Sequence, residues 1–154
     1  MSTATWNASA RPNRTDEVRI LALIGAMSTA LYDKNAAGFA AAYARDAALY
    51  TLAPPMVHRG VDLGEKQAWF DTWESPIGLE PRDFTVTVSG DLAFAHGYMR
   101  LSGKKRRVEQ PISFWMRETL CLERQNGEWR IVHEHASVPF YMDGNLRPAF
   151  DLQP

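Results

Sequence analysis

The sequence has one cysteine, no long apolar run and almost no excess of either charge. Cys121 cannot form an internal disulfide alone, and no CxxC or Cys/His array offers a structural zinc framework. No stretch reaches the roughly 18 uninterrupted apolar residues that span a bilayer. No apolar segment follows the first positive charges, as a signal peptide would require. These absences predict a cytoplasmic protein. Seventeen Lys plus Arg against eighteen Asp plus Glu leave a formal charge of −1, which lacks the basic footprint of a nucleic-acid binder. GxGxxG, P-loop, GxSxG and HExxH patterns are missing, so nucleotide, serine-hydrolase and zincin chemistry have no support and no cofactor is expected.

What is present is 154 residues, 45% hydrophobic and 23% charged, a length and composition suited to one globular domain. Aromatics are plentiful: five Trp, five Tyr and seven Phe. Residues 1–14 are small, polar and without periodicity, and read as an N-terminal arm. The domain is expected over 15–145, with a C-terminal tail over 146–154. Thr15 is placed to cap a first helix with Asp16 and Glu17 in its first turn. Val18, Leu21, Ile24, Ser28 and Leu31 supply its stripe. Asn35 is placed to cap a second helix bearing Phe39 and Tyr43 on one face, followed by a short strand over 48–52. Asp62 and Glu65 have the spacing of a capping box for a third helix running to about Trp73.

From Arg82 onward the pattern alternates with period two. Strands are predicted over 84–89, 92–102, 109–124 and 128–138, with Asn126-Gly127 as a hairpin turn. Lys104-Lys105-Arg106-Arg107 reads as a solvated hairpin tip. Helices first and an antiparallel meander last predict an α+β fold, with the helices packed on one face of a curved sheet.

The alternation groups Trp115, Arg117, Thr119 and Cys121 on one face, opposite Phe114, Met116, Glu118, Leu120 and Leu122. It likewise groups Phe94, His96, Tyr98 and Arg100, and Trp129, Ile131, His133 and His135. A face holding Arg117, Thr119, Tyr98, His133 and His135 among aromatics has the composition of a small-molecule cavity. Arg117 is expected either to hold a carboxylate or developing oxyanion of a ligand or to pair with an internal acid such as Asp83 or Glu118, and His133 or His135 to move a proton. His96, Tyr98 and Thr119 are candidate supporting hydrogen-bond partners. Trp69, Trp73, Trp115 and Tyr50 are candidate walls. The histidines are equally readable as structural groups satisfied by Thr119 or backbone. No metal is expected at them, because no carboxylate shares their face and Arg117 would repel a cation.

WRIVHEHASVPF at 129–140 resembles the closing strand of the SnoaL-like branch of the nuclear-transport-factor-2-like superfamily, in particular its ketosteroid-isomerase-homologue group of unknown function. WFDTWESPIG at 69–78, LAFAHGYMRLSG at 92–103 and FWMRETLCLERQNGEW at 114–129 resemble other stretches of the same group. The resemblance implies a cone: a strongly curved antiparallel sheet closed by three N-terminal helices, with a pocket between them and dimers formed through the outer sheet face. It also implies a small-molecule-binding protein, able to carry cofactor-independent isomerase- or cyclase-type chemistry on a compact carbonyl compound. The alternative is a non-catalytic dimeric ligand-binding or association module. Neither nucleic acid nor membrane is an expected partner.

Overall fold

A computed structural model describes residues 14–154, so the arm expected over 1–14 lies, Arg14 apart, outside the described residues. Helix α1 spans Arg14–Tyr32 and already contains Thr15, with Asp16 and Glu17 in its first turn. Its buried face is Ile20, Ile24, Met27 and Leu31, whereas Val18 and Leu21 are exposed. The expected stripe is therefore rotated. The reason is Asp16, whose carboxylate binds Arg124 at 2.7 Å and accepts from the Trp129 indole at 3.2 Å. Ile20 and Ile24 follow it at i+4 spacing and are turned inward with it.

Asn35 caps α2 (Ala36–Ala40) through the Gly38 N–H, as its position implies, but α2 is only five residues long. Tyr43, expected on that helix, instead opens strand β1 (Tyr43–Tyr50). Packing overrides the helix propensity of the Ala-rich run, since the Ala42 carbonyl is taken by the Ile131 N–H. Phe39 and Tyr43 still meet, at 5.3 Å between ring centroids. A two-residue strand, β2 (His58–Arg59), pairs with β1 before α3 (Leu63–Asp71). Asp62 caps α3 by accepting from the Glu65 N–H at 2.8 Å.

Strands β3 (Gly78–Ser89), β4 (Leu92–Gly103), β5 (Ile112–Gln125) and β6 (Glu128–Ser137) form the meander. Asn126 and Gly127 both take positive φ in the β5–β6 turn. The sheet order is β2-β1-β6-β5-β4-β3, and β1 runs parallel to β6. The sheet is thus mixed rather than wholly antiparallel, because α1 and α2 precede β1 and deliver it alongside the final strand. Among the described residues the sheet does not close, and β2 and β3 are its outermost strands. It curls around the helices, with α1 touching β3 near one side and β6 near the other. No described helix is long and apolar enough to cross a membrane.

Two irregularities set which residues face the helices. One extra residue, Val132, enters β6 between the Leu122–Ile131 and Cys121–His133 pairs. Another enters β3 between Arg82 and Thr85, where Asp83 adopts φ 53°. Both are β-bulges, and each exchanges the faces beyond it. The core between sheet and helices holds Ile20, Ile24, Phe70, Trp73, Ile77, Ala95, Met99, Leu120 and Ile131, all essentially inaccessible.

The basic run does not stand free as a hairpin tip. Lys105 forms a bridge with Trp73, Arg106 Nε donates to the Asp71 carbonyl at 2.9 Å, and the Arg106 N–H donates to Thr72. Cations lie against the C-terminal end of α3, where orphaned carbonyls and the helix dipole favour them. Beyond β6, Phe140 bridges Pro148, Ala149 is buried and Phe150 packs 4.5 Å from Phe114.

Candidate functional site

The concave face of β4 and β5 is a row of apolar side chains: Ala93, Ala95 and Met99 beside Met116, Leu120 and Leu122. One member breaks the row. Glu118 is only 5% exposed, and its Oε1 has no hydrogen-bond partner among the described residues. Glu134 reaches the same face from β6, because the Val132 bulge turns it inward while Ile131 is also buried. Glu118 stands opposite Ala136, and Glu134 opposite Leu120. The carboxyls are therefore diagonal neighbours across two strands, within mutual reach.

Their surroundings differ. Tyr43 Oη contacts Glu134 Oε2 in a short hydrogen bond and lies 3.2 Å from Met27 Sδ. Lys66, on α3, places Nζ over the Phe39 ring at 4.3 Å and the Trp69 ring at 5.1 Å. Burial pushes the Glu118 carboxyl well above its ordinary value, and the charge of Glu134 pushes the same way. Burial also raises Glu134, but the Tyr43 hydroxyl, Lys66 and His133 oppose that rise. Burial and Glu134 push the Tyr43 phenol up, so it stays protonated. Burial lowers Lys66, with Glu134 acting against it.

A phenol carries one proton. When Glu134 is ionised, Tyr43 donates to it. When Glu134 is protonated, it donates to Tyr43 Oη and the phenol proton turns to Met27 Sδ. The trio of Met27, Tyr43 and Glu134 can therefore accommodate either protonation state without leaving a polar atom unpaired. Met27 also lines a groove of about 500 Å³ between α1, α2 and the β5–β6 turn, together with Leu23, Trp129 and Arg130.

The residues expected from the sequence to line the cavity divide. Trp69 and Trp73 lie on the helix side, rings 5.5 Å apart and near perpendicular, with Trp73 fully buried. The others lie on the outer face of the sheet, away from the helices. There Tyr50 sits 4.8 Å from His133 and 5.6 Å from His135. Thr119 stands between His96 and His135 in register, and Arg117 between Tyr98 and Ser137, whose hydroxyl accepts from it at 3.2 Å. Trp115 is flanked by Arg82 and Arg100 at 5.5 and 5.7 Å. His133 Nδ1 lies 2.8 Å from the Ala48 carbonyl.

Grouping by alternation holds on β4 and β5, but the polar group faces outward. On β6 the grouping of Trp129 and Ile131 with His133 and His135 is broken by the bulge. Among the described residues, no three His, Cys, Asp or Glu side chains gather into a metal-sized cluster. Glu134, Tyr43 and Lys66 are not singled out as site residues by the sequence, and Glu118 enters there only as an acid for Arg117 to pair with, whereas the two lie on opposite faces of β5. For Glu118 a signal existed: one carboxyl in an otherwise apolar alternating row.

A family model for the SnoaL-like domain matches residues 20–141. No curated protein matches the chain. An NTF2-like protein of unknown function from Pseudomonas putida KT2440 is 30% identical over 91% of this chain and 97% of its own, with a TM-score of 0.79. A candidate scytalone dehydratase from Novosphingobium aromaticivorans is similar in fold, with 13% identity, a TM-score of 0.74 and coverage of 92% and 97%. So is a candidate ketosteroid isomerase from Shewanella frigidimarina, with 22% identity, a TM-score of 0.61 and coverage of 75% and 92%. With its helices, its curled unclosed sheet and a domain match that takes in most of the chain, the protein belongs to the SnoaL-like family and has the α+β cone fold of NTF2-like proteins.

Proposed function

We propose that the interior binds a compact carbonyl compound and moves a proton on it without a cofactor, using Glu134 as base and Glu118 as acid. The observation that carries this is a carboxyl pair on the concave face, one member with an unpartnered oxygen. An unpaired polar atom in an apolar core costs about 1–3 kcal/mol, a cost usually met where function requires the group. Two carboxyls whose environments separate their proton affinities are a common basis for acid and base roles.

Glu118 has nothing opposing the upward push of burial, which suits a protonated donor to a substrate carbonyl. Glu134 is opposed by Tyr43 and Lys66, which suits an ionised acceptor of a carbon-bound proton. On accepting that proton, Glu134 turns it to Tyr43 Oη, and Tyr43 turns its own to Met27 Sδ. Trp69 and Phe39 supply apolar wall near Lys66.

The test is exchange of α-protons into D2O, followed by NMR, over a panel of small cyclic and linear ketones. Wild type is expected to accelerate exchange of at least one. Glu134→Gln is expected to lose about 10²–10⁴-fold, the scale of one general base. No exchange above background with any member, by protein that is folded by circular dichroism, overturns the reading.

We also infer that the outer sheet face pairs two copies of the chain. Tyr50, Phe94 and Tyr98 stand exposed there beside His96, His135 and Arg117, which supports an aromatic, Arg-bearing interface. Sedimentation velocity is expected to give a dimer that Phe94→Glu dissociates. A wild-type monomer at micromolar concentration would refute it.

A further inference from the structure

The geometry points to Lys66 as an amine nucleophile that forms an iminium bond with the carbonyl carbon of a compact aldehyde or ketone. This rests on the reading that such a compound enters the interior, and adds a covalent step to it.

The chain has four lysines, and three are engaged or at the surface. Lys34 Nζ donates to the Trp73 carbonyl at 2.7 Å. Lys104 pairs with Glu74 at 3.7 Å. Lys105, on the β4–β5 turn, lies 5.3 Å from the Trp73 ring. Lys66 differs from all of them. It is half-buried, with its Nζ against the faces of Phe39 and Trp69. Among the described residues its Nζ makes no hydrogen bond or close ion pair, and the charge that acts on it is that of Glu134. Its residual exposure leaves a path for a reactant, while the two rings remove water from the amine.

An amine attacks only when neutral. Burial lowers the proton affinity of Lys66 while the charge of Glu134 opposes it, and the net result leaves more of it neutral than of a surface lysine. The interior also holds the other groups the step requires. The Lys66 lone pair forms the C–N bond as the carbonyl π pair moves to oxygen. That oxygen takes a proton from Glu118, and the Lys66 nitrogen returns one of its own to the Glu118 carboxylate, leaving a neutral carbinolamine. The hydroxyl then takes that proton from Glu118 and leaves as water, and the nitrogen lone pair forms C=N⁺. The iminium pulls electrons from the α-carbon, whose proton Glu134 accepts, leaving a neutral enamine. Reprotonation and hydrolysis return carbonyl product and free Lys66. No oxidant or reductant is consumed.

The experiment is reductive trapping on the wild-type protein. Propanal, cyclohexanone and pyruvate are each incubated with the protein and sodium cyanoborohydride, and the modified lysines are mapped and timed by peptide mass spectrometry. In parallel, tryptophan fluorescence reports saturable binding of the same three probes. Lys66 is expected to be modified roughly tenfold or more faster than Lys34, Lys104 and Lys105 with at least one probe, with a rate that saturates with probe concentration. Lys66→Arg, which keeps the charge, is expected to lose the fast phase and leave the slow ones unchanged.

Saturable binding with Lys66 modified no faster than the other lysines overturns the covalent step and leaves the carbonyl-binding reading standing. Neither binding nor fast modification overturns both. If Lys66→Arg does not fold, the site-resolved rates on wild type decide alone.

Discussion

The buried carboxyl of Glu118 should make stability fall with rising pH in a way that one substitution abolishes. In the unfolded chain this carboxyl ionises near its ordinary value of 4.5; in the fold, burial and Glu134 hold the proton to higher pH. Between the two values the native state retains a proton that the unfolded state has released. Stability therefore declines as pH rises through that window and levels off above the folded value.

One proton of difference corresponds to about 1.4 kcal/mol per pH unit. At 5% exposure, solvent does little to screen the effect. Glu118→Gln keeps the volume and removes the titration. Relative to wild type it should gain up to about 1.4 kcal/mol per pH unit above about pH 4.5, equivalent to roughly 3–6 °C in Tm for a chain of this size. Glu118→Leu should do the same, because it completes the apolar row of Met116, Leu120 and Leu122. The assay is urea denaturation of all three proteins at half-unit steps from about pH 4.5 to 8. A wild-type-minus-variant difference that stays flat across this range would refute the placement of an unpartnered carboxyl in the core.

Other outcomes follow from the same contacts. Tyr43→Phe should cost about 1–2 kcal/mol in urea, because Glu134 then loses its buried donor. Its carboxyl should titrate at higher pH than in wild type, which infrared spectroscopy of the carboxyl stretch can follow. Asp16→Asn should lower Tm by loosening α1 from Arg124 and Trp129, and the loss should shrink in high salt. The Arg124 guanidinium holds the Asp16 carboxyl below its ordinary value, so this contribution is present above the unfolded value and lost as pH falls through the folded one. Gly60→Ala should destabilise by about 1–3 kcal/mol, since the residue has φ 68° and its Cβ would lie 2.2 Å from the Arg45 carbonyl oxygen. A neutral result would mean that the β1–β2 pairing yields easily.

How much of this was legible in sequence depended on whether the signal was periodic or relational. Asn35, Asp62 and Asn126-Gly127 are local devices, and each acts where its spacing places it. The alternation of β4 and β5 likewise sorted Phe94, His96, Tyr98, Arg117 and Thr119 onto one face. Which face met the helices was not local. A run of His, Arg and Tyr invites a catalytic reading, yet the helices cover the opposite side, where Ala93, Ala95, Met99 and Leu120 are buried. Periodicity assumes an unbroken ladder, so Val132 put Glu134 out of sight. Tyr43 was hidden by an Ala-rich run whose helical preference yields to pairing with Ile131. Lys66 sat on α3 as one more polar residue, its character set by Phe39 from a different helix.

The two outermost strands of the sheet among the described residues carry a further consequence, for behaviour at high concentration. A bare strand edge is a template for another chain, and long flat edges seed fibrils. On one side β2 offers only His58 and Arg59, and the Gly60 N–H that follows is already taken by the Ala47 carbonyl. On the other, β3 carries Pro81, which has no N–H to donate, and Asp83, whose left-handed backbone kinks the strand beside the charged Glu80 and Arg82. Neither margin presents a straight ladder for a newcomer to copy. The curled sheet is therefore poorly suited to growing sideways into larger stacks. Aggregation, when it comes, should need these edges to unfold first.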